Sequence, residues 1–221
     1  MQPAVGALDG DMIRYDRKVR LIAVTMAALA GFVDAVGFLA SGGFFVSFMS
    51  GNSTRLGVGL ANHLSAAFAA ASLIGAFVFG VIVAALVKKC LSPRFRQPGV
   101  MAITAAGLTI ASGIAPVAPP IASCLAIALA MGAINLLFEE DGDVRIGLTY
   151  MTGTLVKLGH HIASALTGGP RWTWISFLAL WLGLAGGALV GAATFHQLGL
   201  TATWVAAIAA WILCVVLAMR R

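Results

Sequence analysis

The stretch GFVDAVGFLASGGFFVSFMSGNSTRLGVGLANH, residues 31–63, decides the fold. An apolar helical run carries one acid, Asp34. It breaks at Gly42-Gly43 and again at the polar turn Ser50-Gly51-Asn52-Ser53-Thr54. A weaker copy, GAINLLFEEDGDVRIGLTYMTGTLVKLGHHIASAL, starts at Gly132. Gly31 and Asp34 are echoed by Gly132 and Asn135 at an offset of 101 residues. Ser50-Gly51-Asn52 is echoed by Thr152-Gly153-Thr154, and Arg55-Leu56-Gly57 by Lys157-Leu158-Gly159, at an offset of 102. A repeat of that size in 221 residues implies two halves of similar build.

Composition says what solvent the halves meet. The chain is 60% hydrophobic and 10% charged, against about 45–50% and 25% in a soluble globule. Water cannot solvate such a surface, so the lipid bilayer is the first partner. The 26 glycines suit membrane helices, whose backbones approach closely over small residues. The net charge of +6 does not point to nucleic acid. Its basic residues sit at the ends of apolar runs: Arg14, Arg17, Lys18 and Arg20; Lys88, Lys89, Arg94 and Arg96; Arg220 and Arg221. That is a topology signal, with positive ends left in the cytoplasm. Cys90, Cys124 and Cys214 have no spaced partners, so neither a disulfide nor a zinc site is expected. The first apolar run, from Val19, reads as a retained span rather than a cleaved leader.

The chain then divides into a cytoplasmic tail (1–18), a first transmembrane repeat (19–118) and a second (121–219). The expected fold is all-α and polytopic, with about six transmembrane helices at 19–39, 65–87, 100–117, 121–138, 172–195 and 201–219. Between them, 42–63 and 146–165 read as broken or re-entrant elements. The glycines at 42, 43, 51, 57 and 59 argue against a regular helix there. Six spans put all three basic groups, and both termini, on the cytoplasmic side; eight would move Lys88-Lys89 outside. Three spans per repeat make the second half run opposite to the first, the inverted arrangement of many secondary transporters.

Gly31-Phe32-Val33-Asp34-Ala35, Gly43-Phe44-Phe45-Val46-Ser47 and Ser50-Gly51-Asn52 together resemble the YoaK-like family of bacterial membrane proteins, whose shared domain has no assigned function. The resemblance covers roughly residues 20–215. Met49-Ser50 departs from the Gln-Thr that family members often carry. It implies a multi-pass protein of the bacterial inner membrane and carries over no activity.

The function-bearing residues must therefore be read directly. Asp34 lies too deep in its span for a short side chain to snorkel out, and a carboxylate at such depth faces a partner or a water path. It is either a proton-coupling site or a strut for the backbone amides of the broken element. Asn135, its echo, can bridge backbone but cannot take a proton. Ser50, Asn52, Ser53 and Thr54 form a donor-rich turn, and Thr149, Thr152 and Thr154 form its mate. With Arg55 and Lys157 they would suit a small polar or anionic solute at helix N-termini. Alternatively they cap short helices, with the two cations reaching lipid head groups.

His63, His160 and His161 have no metal-ligand spacing, and Glu139–Asp143 fails the calcium-loop pattern, so neither a metal nor another cofactor is implied. The acidic run reads as a solvated loop. Phe44, Phe45 and Phe48 read as packing more readily than as a gate. The leading reading is a secondary transporter or permease for a small polar or anionic solute, coupled to protons. The alternative is a non-transporting membrane protein that binds a protein or lipid partner, its glycine faces serving assembly, including a homo-oligomer. An enzyme is the least favoured reading, and would need Ser50 and His63 brought together.

Overall fold

The apolar runs form helices nearly throughout. The computed structural model describes residues 17–140, 143–144 and 151–219. Of the tail, residues 1–16 lie outside the described residues, as do Arg220 and Arg221. In chain order the elements are α1 (Arg17–Ala40), α2 (Met49–Asn62), α3 (Leu64–Cys90), α4 (Pro93–Ile114), α5 (Pro120–Ile134), β1 (Glu139–Glu140), β2 (Asp143–Val144), α6 (Met151–Leu166), α7 (Trp174–Leu198), a 3-10 turn (Gly199–Ala202) and α8 (Thr203–Met219).

Four stretches are long and apolar enough to cross a bilayer: Val19–Ala40, Leu64–Cys90, Pro93–Ile114 and Trp174–Met219. The last contains α7 and α8. The apolar α5 is shorter, at 15 residues. It is also the most enclosed helix, with every position from Ala130 to Ile134 buried. Its partners are therefore other helices more than lipid. The outer surface has the opposite character to that of a soluble protein: Phe68, Phe79, Leu86, Leu189 and Ile208 are all exposed. This is an all-α polytopic membrane protein.

The sequence reading needs three corrections. First, 42–63 is not irregular throughout: only 41–48 is, and Met49–Asn62 is a regular 14-residue helix. Glycine inside it does not break the chain. Gly59 instead admits the backbone of Ala67 on α3, which a Cβ there would meet at 2.6 Å. Likewise 151–166 is a regular helix.

Second, the fourth apolar run ends its helix at Ile134, not Phe138. Side chains from other helices take the carbonyls that follow. Lys88 Nζ donates to Leu136 O at 3.1 Å and Glu139 O at 2.6 Å, and pairs with the Glu139 carboxylate. Gln97 reaches Leu137 O at 3.5 Å. Third, the acidic run is not simply a solvated loop, because Glu139 pairs with Val144 and Glu140 with Asp143 in a small antiparallel ladder.

Packing carries the repeat into three dimensions. α1 packs most extensively on α7, and α3 on α5. At the first contact a Cβ on Gly31 would overlap the carbonyl of Leu184, and one on Gly187 that of Ala28. At the second, a Cβ on Gly132 would overlap the carbonyl of Phe77, and one on Gly80 that of Leu129. Gly31 and Ala28 correspond to Gly132 and Leu129 at the 101-residue offset, so the two crossings are copies of one another. Both place helix backbones in direct contact, where close packing and Cα–H···O contacts replace the missing hydrophobic drive.

The third major interface, α4 on α8, joins equivalent helices of the two halves. Cys214 Sγ lies 3.4 Å from Pro98 O, Trp211 Nε1 3.1 Å from Thr109 Oγ1, and Thr203 Oγ1 2.8 Å from Ser112 Oγ. As one helix ascends the other descends, so α4 and α8 are antiparallel.

Candidate functional site

The site begins where α1 stops. Gly42 and Gly43, at φ +72° and +106°, turn the chain back, a left-handed geometry that other residues adopt only at a cost. Ser41 fastens the turn: its hydroxyl donates to Phe44 O at 2.9 Å and accepts the Phe44 N–H at 3.0 Å. The next residues form neither helix nor strand and bend at Val46 and Ser47, and their amides are met by side chains. Asp34 Oδ1 accepts from Val46 N and Ser47 N, both at 2.9 Å.

Asn52 reaches back from α2 as a second clamp. Its Oδ1 accepts the Phe45 N–H at 3.0 Å and its Nδ2 donates to Phe45 O at 2.6 Å, mimicking a strand neighbour. Irregular backbone at this depth is tolerable only with its polar groups answered internally. Two side chains separated by 18 residues do so here. Phe38, Phe45 and Phe48 close around the clamp, with ring centroids 4.9 Å and 5.3 Å apart.

The structure separates the candidate solute ligands into groups. Asn52 is fully buried and occupied by Phe45. Ser53 and Thr54 are exposed and bond back to their own helix, at Met49 O and Ser50 O. Arg55 lies 5.0 Å over the Phe44 ring and against Gly43, so it packs on the turn. In the second half, Thr154 is buried and Lys157 half-buried. Asn135 is buried and donates to Met131 O at 2.8 Å. Residues 145–150, the counterpart of the segment that Asp34 holds, lie outside the described residues.

Ser50 and Thr152 are brought together. A cavity of about 330 Å³ is lined by Ser47, Phe48, Met49 and Ser50 from the first half's turn, and by Met151, Thr152 and Gly153 from the second's, with Phe77 of α3 as a wall. The N-terminal turns of α2 and α6 thus meet at one chamber. No side chain caps α2. None of the lining residues is charged. Reading the sequence for polar residues missed Met49 and Met151, although they share the 102-residue offset of Ser50 and Thr152. It also missed Phe77, whose place on the wall depends on the α3–α5 crossing.

His63 ends α2 while Ser50 begins it, so about 20 Å of helix separates the pair an enzyme would need together. His161 stacks on Phe177 at 4.9 Å and meets Thr173. Among the described residues no three His, Cys, Asp or Glu side chains gather as metal ligands would.

The family model described as "Protein of unknown function (DUF1275)" matches residues 22–217, nearly the whole chain. The chain belongs to this family. A curated relative of this DUF1275 protein, a UPF0700 transmembrane protein of Rhizobium meliloti (strain 1021), is 33% identical over 192 residues, spanning 87% of this chain and 83% of its own. No solved structure matches. Membership establishes a bacterial multi-pass membrane protein for which the family records no activity.

Proposed function

We propose that this DUF1275 protein is a permease for a small polar or anionic solute, which binds in the chamber between Ser50 and Thr152. The observation that carries the reading is that the two repeat-related turns, 102 residues apart, line one cavity. Two helix N-termini with hydroxyls and no carboxylate favour a neutral polar or negatively charged guest. At about 30 Å³ per water, 330 Å³ admits a solute the size of roughly ten waters.

Six spans support alternating access. If α2 and α6 also crossed, strict alternation would make α4 and α8 parallel; they are antiparallel. With α2 and α6 as half-helices, both termini are cytoplasmic and the repeats are inverted, so each turn enters from its own face. Asp34 holds the first turn's backbone and, among the described residues, is the carboxylate placed to couple a proton to a change in that turn.

The test is uptake into proteoliposomes across a panel of small polar and anionic solutes, comparing the wild type with Ser50→Phe, which fills the chamber. Accumulation by the wild type that Ser50→Phe abolishes, with an unchanged gel-filtration profile, supports the reading. No uptake of any solute, or uptake indifferent to Ser50→Phe, overturns it.

A further inference from the structure

Two repeat-related interfaces, α4 on α5 and α8 on α1, differ. In the first, α4 lies tightly on α5: Thr104 Oγ1 donates to Ala130 O at 3.4 Å, and Ser123 Oγ to Ala111 O at 3.1 Å. A Cβ on Gly107 would stand 2.9 Å from Ala130 Cβ. In α8 the residues with the same spacing as Thr104, Gly107 and Ala111 are Ala206, Ala209 and Leu213. The 101-residue offset relates Ala126 and Ala130 of α5 to Thr25 and Leu29 of α1. These counterparts pack more loosely on one another. They line opposite walls of an apolar groove of about 480 Å³ between α1, α7 and α8.

The glycine-backed pairs α1–α7 and α3–α5 share one crossing, so a clear difference lies in how α4 and α8 sit on them. α4 and α8 also pack on each other, so a shift of one is felt by the other. We infer that this is one of two exchangeable conformations: in the other, α8 closes on α1 and fills the groove while α4 lifts from α5. The inference rests on the inverted arrangement proposed above and adds the moving parts. The α4–α8 pair rocks as a unit over two rigid helix pairs, which is how a chamber between halves would open to one face and then the other. The groove is the space α8 moves into, and lipid chains occupy it meanwhile.

Cysteine bridging tests this in a background carrying Cys90→Ala, Cys124→Ala and Cys214→Ala. The pair Ser123→Cys with Ala111→Cys reports α4 closed on α5, and Thr25→Cys with Ala209→Cys reports α8 closed on α1. A disulfide requires Cβ atoms about 3.5–4.5 Å apart. Each pair is expected to bridge alone under copper–phenanthroline oxidation in membranes. With all four cysteines present, each molecule should carry one bridge or the other, and locking the first should slow the second about tenfold or more.

Failure of Thr25→Cys with Ala209→Cys to bridge while the other pair does, or both bridges in the same molecule, overturns the exchange. If the first pair misfolds, Thr104→Cys with Ala130→Cys replaces it. Bridging is read on a gel without any solute. Exclusive bridging without uptake would remove only the permease reading, and uptake with non-exclusive bridging would remove only the exchange.

Discussion

Asp34 offers the sharpest test of how the broken element is held. Asp34→Ala removes an acceptor that meets Val46 N and Ser47 N at 2.9 Å each, leaving both amides unanswered. Hydrogen bonds to a charged group are worth about 1.5–3 kcal/mol each, so the loss is about 3–6 kcal/mol. Asp34→Asn keeps an oxygen in the same place. It surrenders the charge assistance, roughly half the strength of each bond, and relieves the burial of a carboxylate, so its net cost is about 1–2 kcal/mol or less.

At about 2–4 °C per kcal/mol for a chain of this size, Asp34→Ala should melt about 5–10 °C below Asp34→Asn. Intrinsic tryptophan fluorescence in detergent reads the melt. Hydrogen exchange over 44–49 reads the amides themselves: protection should vanish in Asp34→Ala and persist in Asp34→Asn. Equal losses in the two variants would mean that the charge, not the acceptor, holds the segment. Unaltered exchange in Asp34→Ala would sink the strut altogether.

Other expectations follow from the same contacts. Gly187→Ala and Gly80→Ala should each destabilise by about 1–3 kcal/mol, because the new methyl group meets the backbone of Ala28 or Leu129; helix propensity alone predicts a gain of about 1 kcal/mol, so the sign in a thermal melt decides. Lys88→Ala removes the donor shared by Leu136 O, Glu139 O and the Glu139 carboxylate, and should cost about 1–3 kcal/mol. Because Lys88 is 11% exposed, that loss should persist in 0.5 M salt, read in the same melt. If coupling is real, Asp34→Asn should abolish proton-driven uptake while the protein stays folded; unchanged uptake removes that role. Cys90, exposed at the end of α3, should react with an impermeant maleimide only from the cytoplasmic side, and His63→Cys only from the outside.

The sequence alone determined the solvent and the repeat. Ten per cent charge in an apolar chain fixes lipid as the surroundings, and the echo of Gly31 in Gly132 survives as two matched helix crossings. Asp34 was also legible, since a carboxylate far from either end of an apolar run has to be answered by something. These signals are carried by composition, by position within one apolar run and by comparing two stretches of the same chain.

Tertiary structure decided what a polar or small residue does once placed. Ser53 and Ser50 are equivalent as letters, yet one bonds back to Met49 O and the other faces the chamber, because only Ser50 has the second half's turn opposite it. Gly59 reads as a helix breaker until Ala67 is found against it. Each outcome depends on which backbone lies across the gap, often about a hundred residues away in the chain, and no periodicity within a single helix records that neighbour.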